Sequence, residues 1–204
     1  MENYADLLFQ GAVAELQKAE GSFEKYQKLY PHRTQDGLRE QDKAFIRERD
    51  SFYIASTSPD GWPYIQHRGG PRGFLSIIGD TKLACLDYRG NQQFITMGHL
   101  TTDSRVSLFL MDYMNSARLK IQGHASLVSL ADADPALVRQ LAPEGTTAER
   151  VLSIEITALD WNCPQYIPQL YPADVVQNVI GRRIGALEAE NTALKARLAE
   201  LGQE

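Results

Sequence analysis

The chain has 204 residues, 43% of them apolar and 23% charged, which is the range of folded globular chains and excludes a disordered or fibrous one. Lys and Arg number 21 against 26 Asp and Glu, for a net charge of −5, and no basic block stands out, so general nucleic-acid binding is not expected. One phosphate-sized site remains compatible with that charge, because net charge says little about a single pocket.

Residues 1–50 read as helical. Leu7, Leu8, Val13, Leu16, Phe23, Tyr26 and Leu29 recur at three- and four-residue steps, with charges between them, and Pro31 ends the run. Residues 38–50 form a second charged helix carrying the apolar pair Phe45 and Ile46. Helices of this kind cover an opening or a face of a sheet, and no chemistry is assigned to them. The opening Met-Glu-Asn-Tyr-Ala-Asp lacks the basic and apolar regions of a signal peptide. No apolar run approaches the ~20 residues of a membrane helix, so a cytoplasmic protein without membrane partners is expected.

Residues 51–160 change period. Residues 51–57 and 62–68 read as a hairpin around the turn Pro59-Asp60-Gly61. The run Gly69-Gly70-Pro71-Arg72-Gly73 suits no regular element. Further strands fall at 74–78, 82–87, 106–112, 118–128 and 151–160, with short helices near 92–100 and 135–141. Six or so strands joined by short turns, without βαβ alternation, predict a mainly β fold: an antiparallel sheet closed into a small barrel with flanking helices.

Residues 173–204 carry a heptad. Ile180, Leu187, Leu194 and Leu201 occupy d; Ile184, Asn191 and Leu198 occupy a. A buried Asn at a pairs with its copy in a parallel dimer, and g-to-e contacts would join Arg183 to Glu188 and Glu190 to Lys195. The alternative is a single helix laying its leucines on the barrel. The expected organisation is therefore 1–50 helical, 51–172 barrel, and 173–204 a C-terminal helix forming a parallel coiled coil.

Cys85 and Cys163 make no disulfide framework and read as reduced thiols. With His32, His67, His99 and His124 scattered, no metal spacing appears. No nucleophilic triad is suggested, so catalytic residues stay unassigned.

Two segments carry chemistry. Asp87-Tyr88-Arg89-Gly90-Asn91 lies at a strand end and runs into a short helix. Asn91 reads as its N-cap and Gly90 as a tight turn. A helix N-terminus beside Arg89, with Gln92 and Thr96 as further donors, makes an anion site; a merely capped helix has the same look. The other segment is Gln66-His67-Arg68-Gly69-Gly70-Pro71, a strand ending in two glycines. It exposes main-chain groups suited to the edge of a flat heteroaromatic ring, as any tight loop would.

In this order and spacing the two segments resemble the FMN-binding split β-barrel proteins related to pyridoxamine 5'-phosphate oxidase. The match runs from about Phe52 to Val128: the hairpin FYIASTSPDGWPYIQHRGGP, the strand and turn LACLDYRGN, and the strands DSRVSLFLMDY and RLKIQGHA. The resemblance implies a split barrel with FMN as cofactor. Arg68, Gly69 and Gly70 would meet the flavin ring through main chain, with His67 beside them, while Asp87, Tyr88, Arg89, Asn91, Gln92 and Thr96 would line the ribityl and phosphate. Arg118, Trp161 and Asn162 would reach the flavin from a second subunit, since the site of these proteins lies at a homodimer interface. The oxidase's own Arg-x-Val-Leu-Leu-Lys strand and Ser-Arg-Lys phosphate cluster are absent, so pyridoxamine phosphate is not implied as substrate. The expected function is hydride or electron transfer through FMN with a small-molecule substrate or electron donor. The alternatives are a flavin-binding carrier or sensor without turnover, and a split barrel binding F420 or haem.

Overall fold

The alternating strands do build one antiparallel sheet, seen in a computed structural model that describes residues 1–142, 146–161 and 163–201. The elements in chain order are α1 (Tyr4–Leu8), α2 (Ala12–Ala19), α3 (Phe23–Leu29), a 3₁₀ turn (Tyr30–Arg33), α4 (Glu40–Arg47), β1 (Ser51–Thr57), β2 (Pro63–Gly69), β3 (Ser76–Ile78) and β4 (Lys82–Tyr88). They continue with α5 (Ile95–Leu100), β5 (Arg105–Asp112), β6 (Ala117–Ser129), α6 (Pro135–Leu141), β7 (Ala148–Trp161) and α7 (Ala173–Leu201). The sheet order is β2-β1-β5-β6-β7-β4-β3, every pair antiparallel. It curls into a split barrel whose edge strands β2 and β3 do not pair with each other among the described residues.

Period-two burial fixes which face turns inward. Phe52 and Ile54 of β1, Leu108 and Leu110 of β5, Leu119 and Ile121 of β6, Leu152 and Ile154 of β7, and Leu83 and Cys85 of β4 meet in one core, closed by Ile46 of α4 and by Leu38. Gly123 lies at a register shift in β6, where an added Cβ would run into the Glu155 carbonyl oxygen; the missing side chain lets the strands coil at that point. The outer face is covered in two places. Leu137, Val138 and Leu141 of α6 pack over Ala84 and Val151, and Tyr4, Phe9, Tyr26 and Tyr30 pack over Ala158.

Three expectations need correction. The N-terminal helix is three short ones, because Gly11 (φ +55°) and Gly21 (φ +72°) break it with left-handed backbone. Pro31 sits inside the 3₁₀ turn instead of ending a helix. The strand at 74–78 keeps only Ser76–Ile78, since Phe74 leaves the ladder to stack on Phe52, ring centroids 5.7 Å apart.

Residues Met1–Asp112 and Ala117–Pro164 make one compact unit. Tyr113–Ser116 and the chain from Gln165 onward make another, whose main element is the 29-residue α7. No helix among the described residues is long and apolar enough to cross a membrane.

Candidate functional site

The curl of the sheet brings the end of β2 to the end of β4, although five strands' worth of ladder separate them. Arg68 Nη1 of β2 pairs with Asp87 Oδ1 of β4. Arg150 of β7, opposite Asp87 in the ladder, approaches its other oxygen at 3.4 Å. The carboxylate is thus held between two guanidinium groups with little solvent around it, the setting in which charged hydrogen bonds are strongest. Immediately after Asp87 the β4–β7 register shifts, which re-aims Tyr88 toward solvent.

The loop between β4 and α5 forms the opposite wall. Gln92 (φ 61°) and Phe94 (φ 55°) both adopt the left-handed backbone region, which is uncommon for any residue but glycine and costly for a bulky one. They stop the helix from starting early, so α5 begins at Ile95, and the expected N-cap is corrected: Asn91 Oδ1 instead accepts from Gln93 N–H at 3.2 Å, an Asx turn inside the loop. Gly90 has no left-handed φ, and a Cβ there would meet open space. No contact within the chain requires a glycine at this place. The loop is pinned where it enters α5. Thr96 Oγ1 donates to Gln66 Oε1 of β2 at 2.9 Å, and the Arg150 guanidinium lies 5.5 Å from the centre of the Phe94 ring.

Between these walls lies a small cavity of about 80 Å³, lined by Gln66, Arg68, Asp87, Tyr88, Arg89, Asn91, Gln92, Phe94, Thr96, Glu149 and Arg150 among others. Three arginines against two carboxylates leave its field positive. Arg68 Nε is buried and has no hydrogen-bond partner among the described residues, a donor costly to leave unmet. Tyr88 also borders a second, more apolar cavity of about 270 Å³, lined by Gly69, Gly70, Pro71, Arg72, Gly73, Phe74, Ser76, Leu86 and Leu141. Tyr88 lines both cavities, so they adjoin at that side chain.

Seven of the expected residues, Arg68, Asp87, Tyr88, Arg89, Asn91, Gln92 and Thr96, therefore line one cavity, with Gly69 and Gly70 in its neighbour. Gly70 has a structural reason as well: a Cβ there would stand 2.7 Å from Phe74 Cγ. His67 lies on the same strand, but alternation turns it to the exposed face opposite Arg68, where its ring meets Tyr53 edge-on at 5.4 Å. Arg118 sits on β6 opposite Met111. Trp161 ends β7, thirteen positions beyond the residue that faces Tyr88, and its Nε1 donates to Asp42 Oδ1 at 2.7 Å. Neither Arg118 nor Trp161 lines these cavities of its own chain. Asn162 lies outside the described residues.

Sequence reading missed Arg150, Glu149, Tyr64 and Phe94 as lining residues and left Gln66 without a role. Gln66 was within reach, since it shares a strand face with Arg68. Arg150 was not, because its meeting with Asp87 depends on the β4–β7 register. Neither cysteine joins the site. Burial pushes the Cys85 thiol up to about 12, while Cys163 is exposed. No group of three or more metal-ligating side chains occurs among the described residues.

A family model described as pyridoxamine 5'-phosphate oxidase matches residues 38–162, well over half of the chain. The chain belongs to that family, one of flavin oxidoreductase-like split barrels. Among solved structures it is similar to HupZ of Group A Streptococcus, at 12% identity and a TM-score of 0.50, over 66% of this chain and 99% of that one. A Clostridium acetobutylicum protein related to general stress protein 26, of the pyridoxinephosphate oxidase family, aligns at 13% identity and a TM-score of 0.46, covering 67% and 94% of the two chains. A pyridoxamine 5'-phosphate oxidase-related, FMN binding protein of Nostoc punctiforme aligns at 13% identity and 0.42, covering 60% and 82%. The first of these likenesses shows a shared fold. A search of curated proteins returns no significant match.

Proposed function

We propose that this chain is an FMN-dependent oxidoreductase acting on a small molecule, with its cofactor lying in the cleft that joins the ends of β2 and β4. The observation that carries this reading is the pairing of a small positive cavity with a larger apolar one, the first lined by Arg68, whose buried Nε has no partner among the described residues. The residues present fit the group. Arg89 and Arg150, with the left-handed loop of Gln92 and Phe94, suit a phosphomonoester. Main chain at Gly69 and Gly70, with Phe74 and Leu86, suits a flat ring.

When bound, FMN supplies hydride or electron transfer through its isoalloxazine ring. The chain supplies the rest. Arg68 offers a fixed cation and a spare N–H donor, kept in place by Asp87. The Arg68–Asp87–Arg150 group holds that donor rigid, so it needs no reorganisation to meet developing negative charge. Leu86, Leu141 and Phe74 give the wider cavity an apolar wall. The reading includes a homodimer in which Arg118, Trp161 and Asn162 of a second copy close the cleft over the ring.

Purified protein is expected to be yellow, or to take up added FMN, and to have that flavin reduced by NADH or NADPH. A colourless chain that fails to take up FMN overturns the proposal. Bound FMN that no donor reduces leaves a carrier or sensor module instead. Mass spectrometry of the released ligand separates FMN from F420 and haem.

A further inference from the structure

The apolar row of α7 faces solvent. Ile180, Ile184, Leu187, Leu194, Leu198 and Leu201 are between 45% and 68% exposed, all on one stripe of one helix. Single exposed leucines are ordinary, but seven positions at alternating steps of four and three, six of them apolar and the middle one Asn191, are not. The row belongs to a helix of 29 residues, well beyond the ~12–15 at which an isolated helix becomes marginal.

We propose that α7 pairs in parallel with α7 of a second copy of this chain, with Asn191 facing its own counterpart. The occupant is a second copy because the surface complements itself. In a parallel two-fold pair, Arg183 meets the partner's Glu188 and Glu190 meets the partner's Lys195, and symmetry gives each contact twice. These charges would also allow an antiparallel pair, joining Glu188 to Lys195 and Glu190 to Arg197. Asn191 decides between the two. In a parallel pair a faces a, so the two amides hydrogen-bond across the seam. In an antiparallel pair a faces d, so each amide is set against a leucine with its donors and acceptors unmet. The inference is independent of what the barrel binds.

Cross-linking of the full-length chain tests it. In a Cys163→Ser background, the remaining native thiol, Cys85, is 1% exposed and does not interfere. Ile180→Cys and Leu201→Cys each place a thiol at a d position at opposite ends of the row. In a parallel pair each variant brings its own two thiols within disulfide reach, ~6 Å between Cα atoms. In an antiparallel pair the two thiols of either variant lie roughly 25 Å or more apart at 1.5 Å rise per residue. The expected result is a disulfide-linked dimer from each variant alone under mild oxidation, and no cross-link between the two variants when mixed. Adding Leu187→Glu and Leu194→Glu should cut the cross-linked fraction at least tenfold while the far-ultraviolet circular dichroism of the barrel is kept. Cross-linking in the mixture but in neither variant alone would exclude a parallel pair and overturn the proposal. Absence of cross-linking in all samples, whether the chain sediments as monomer or as a dimer held elsewhere, would also overturn it.

Discussion

The two ends of β7 treat buried charge in opposite ways. At its C-terminal end two carboxylates are fully used. Asp42 accepts from Gln35 Nε2, Arg39 N–H and the Trp161 indole, at 2.9, 2.9 and 2.7 Å. Asp160 accepts from the Tyr30 hydroxyl at 3.2 Å and from Arg33 at 3.0 Å. At the N-terminal end, Asp87 is held by Arg68 and Arg150, but the same Arg68 keeps a buried N–H with no partner among the described residues, beside two adjoining cavities. Closed networks anchor the 3₁₀ turn and α4 to the sheet. The incomplete one marks where the chain reaches for something outside itself.

The contrast can be broken by substitution, first at the closed end. Asp42→Ala removes a fully buried acceptor shared by three part-buried donors, so unfolding in urea should show a loss of about 3 kcal/mol. At the open end, Arg89→Ala should act on binding: titration with FMN should show affinity weaker by about 2 kcal/mol, roughly 30-fold, with a smaller change in unfolding. Two glycines sharpen the contrast further. Gly70→Ala drives a methyl group into Phe74 and should cost about 1–2 kcal/mol in denaturant. Gly90→Ala meets open space and should stay within about 0.5 kcal/mol of the parent, so any loss of FMN affinity there reports contact with the ligand.

Titration of Cys85 and Tyr30 acts only at alkaline pH and leaves stability near neutrality unchanged. Burial raises the Cys85 thiol from 9.0 to about 12, and burial together with Asp160 raises the Tyr30 hydroxyl. Both groups fold in their neutral forms. Their contribution is complete below the ordinary thiol value and declines as pH climbs from 9 toward 12. Thermal unfolding should therefore be flat near neutral pH and fall above about pH 9, less steeply in Cys85→Ala. An alkylating reagent near pH 8 should modify Cys163 and spare Cys85.

The barrel was legible because burial in it follows a period of two: β1 and α6 have the bounds read from the chain, β2, β4, β5 and β6 shift by one residue at one end or both, and β7 starts three residues early, at Ala148. The two site segments were legible because glycine and arginine cluster at strand ends. The loop was not. Gln92 and Phe94 carry no signal for left-handed backbone, and tertiary contacts hold them there. Arg150 stands 63 positions from its partner Asp87, a meeting that no local pattern encodes.

An unclosed barrel keeps a raw margin. Among the described residues β2 pairs as a strand with β1 alone, while Trp62 just before it and Ile65 on it stand 76% and 63% exposed. Such a margin invites a foreign strand to dock and grow into an aggregate. Pro63 at the start of β2 and Pro71 just past its end cannot donate to an incoming chain, so they bracket the stretch on which stray pairing can take hold. Colloidal solubility in this molecule thus depends on two imino acids flanking the strand that carries Arg68.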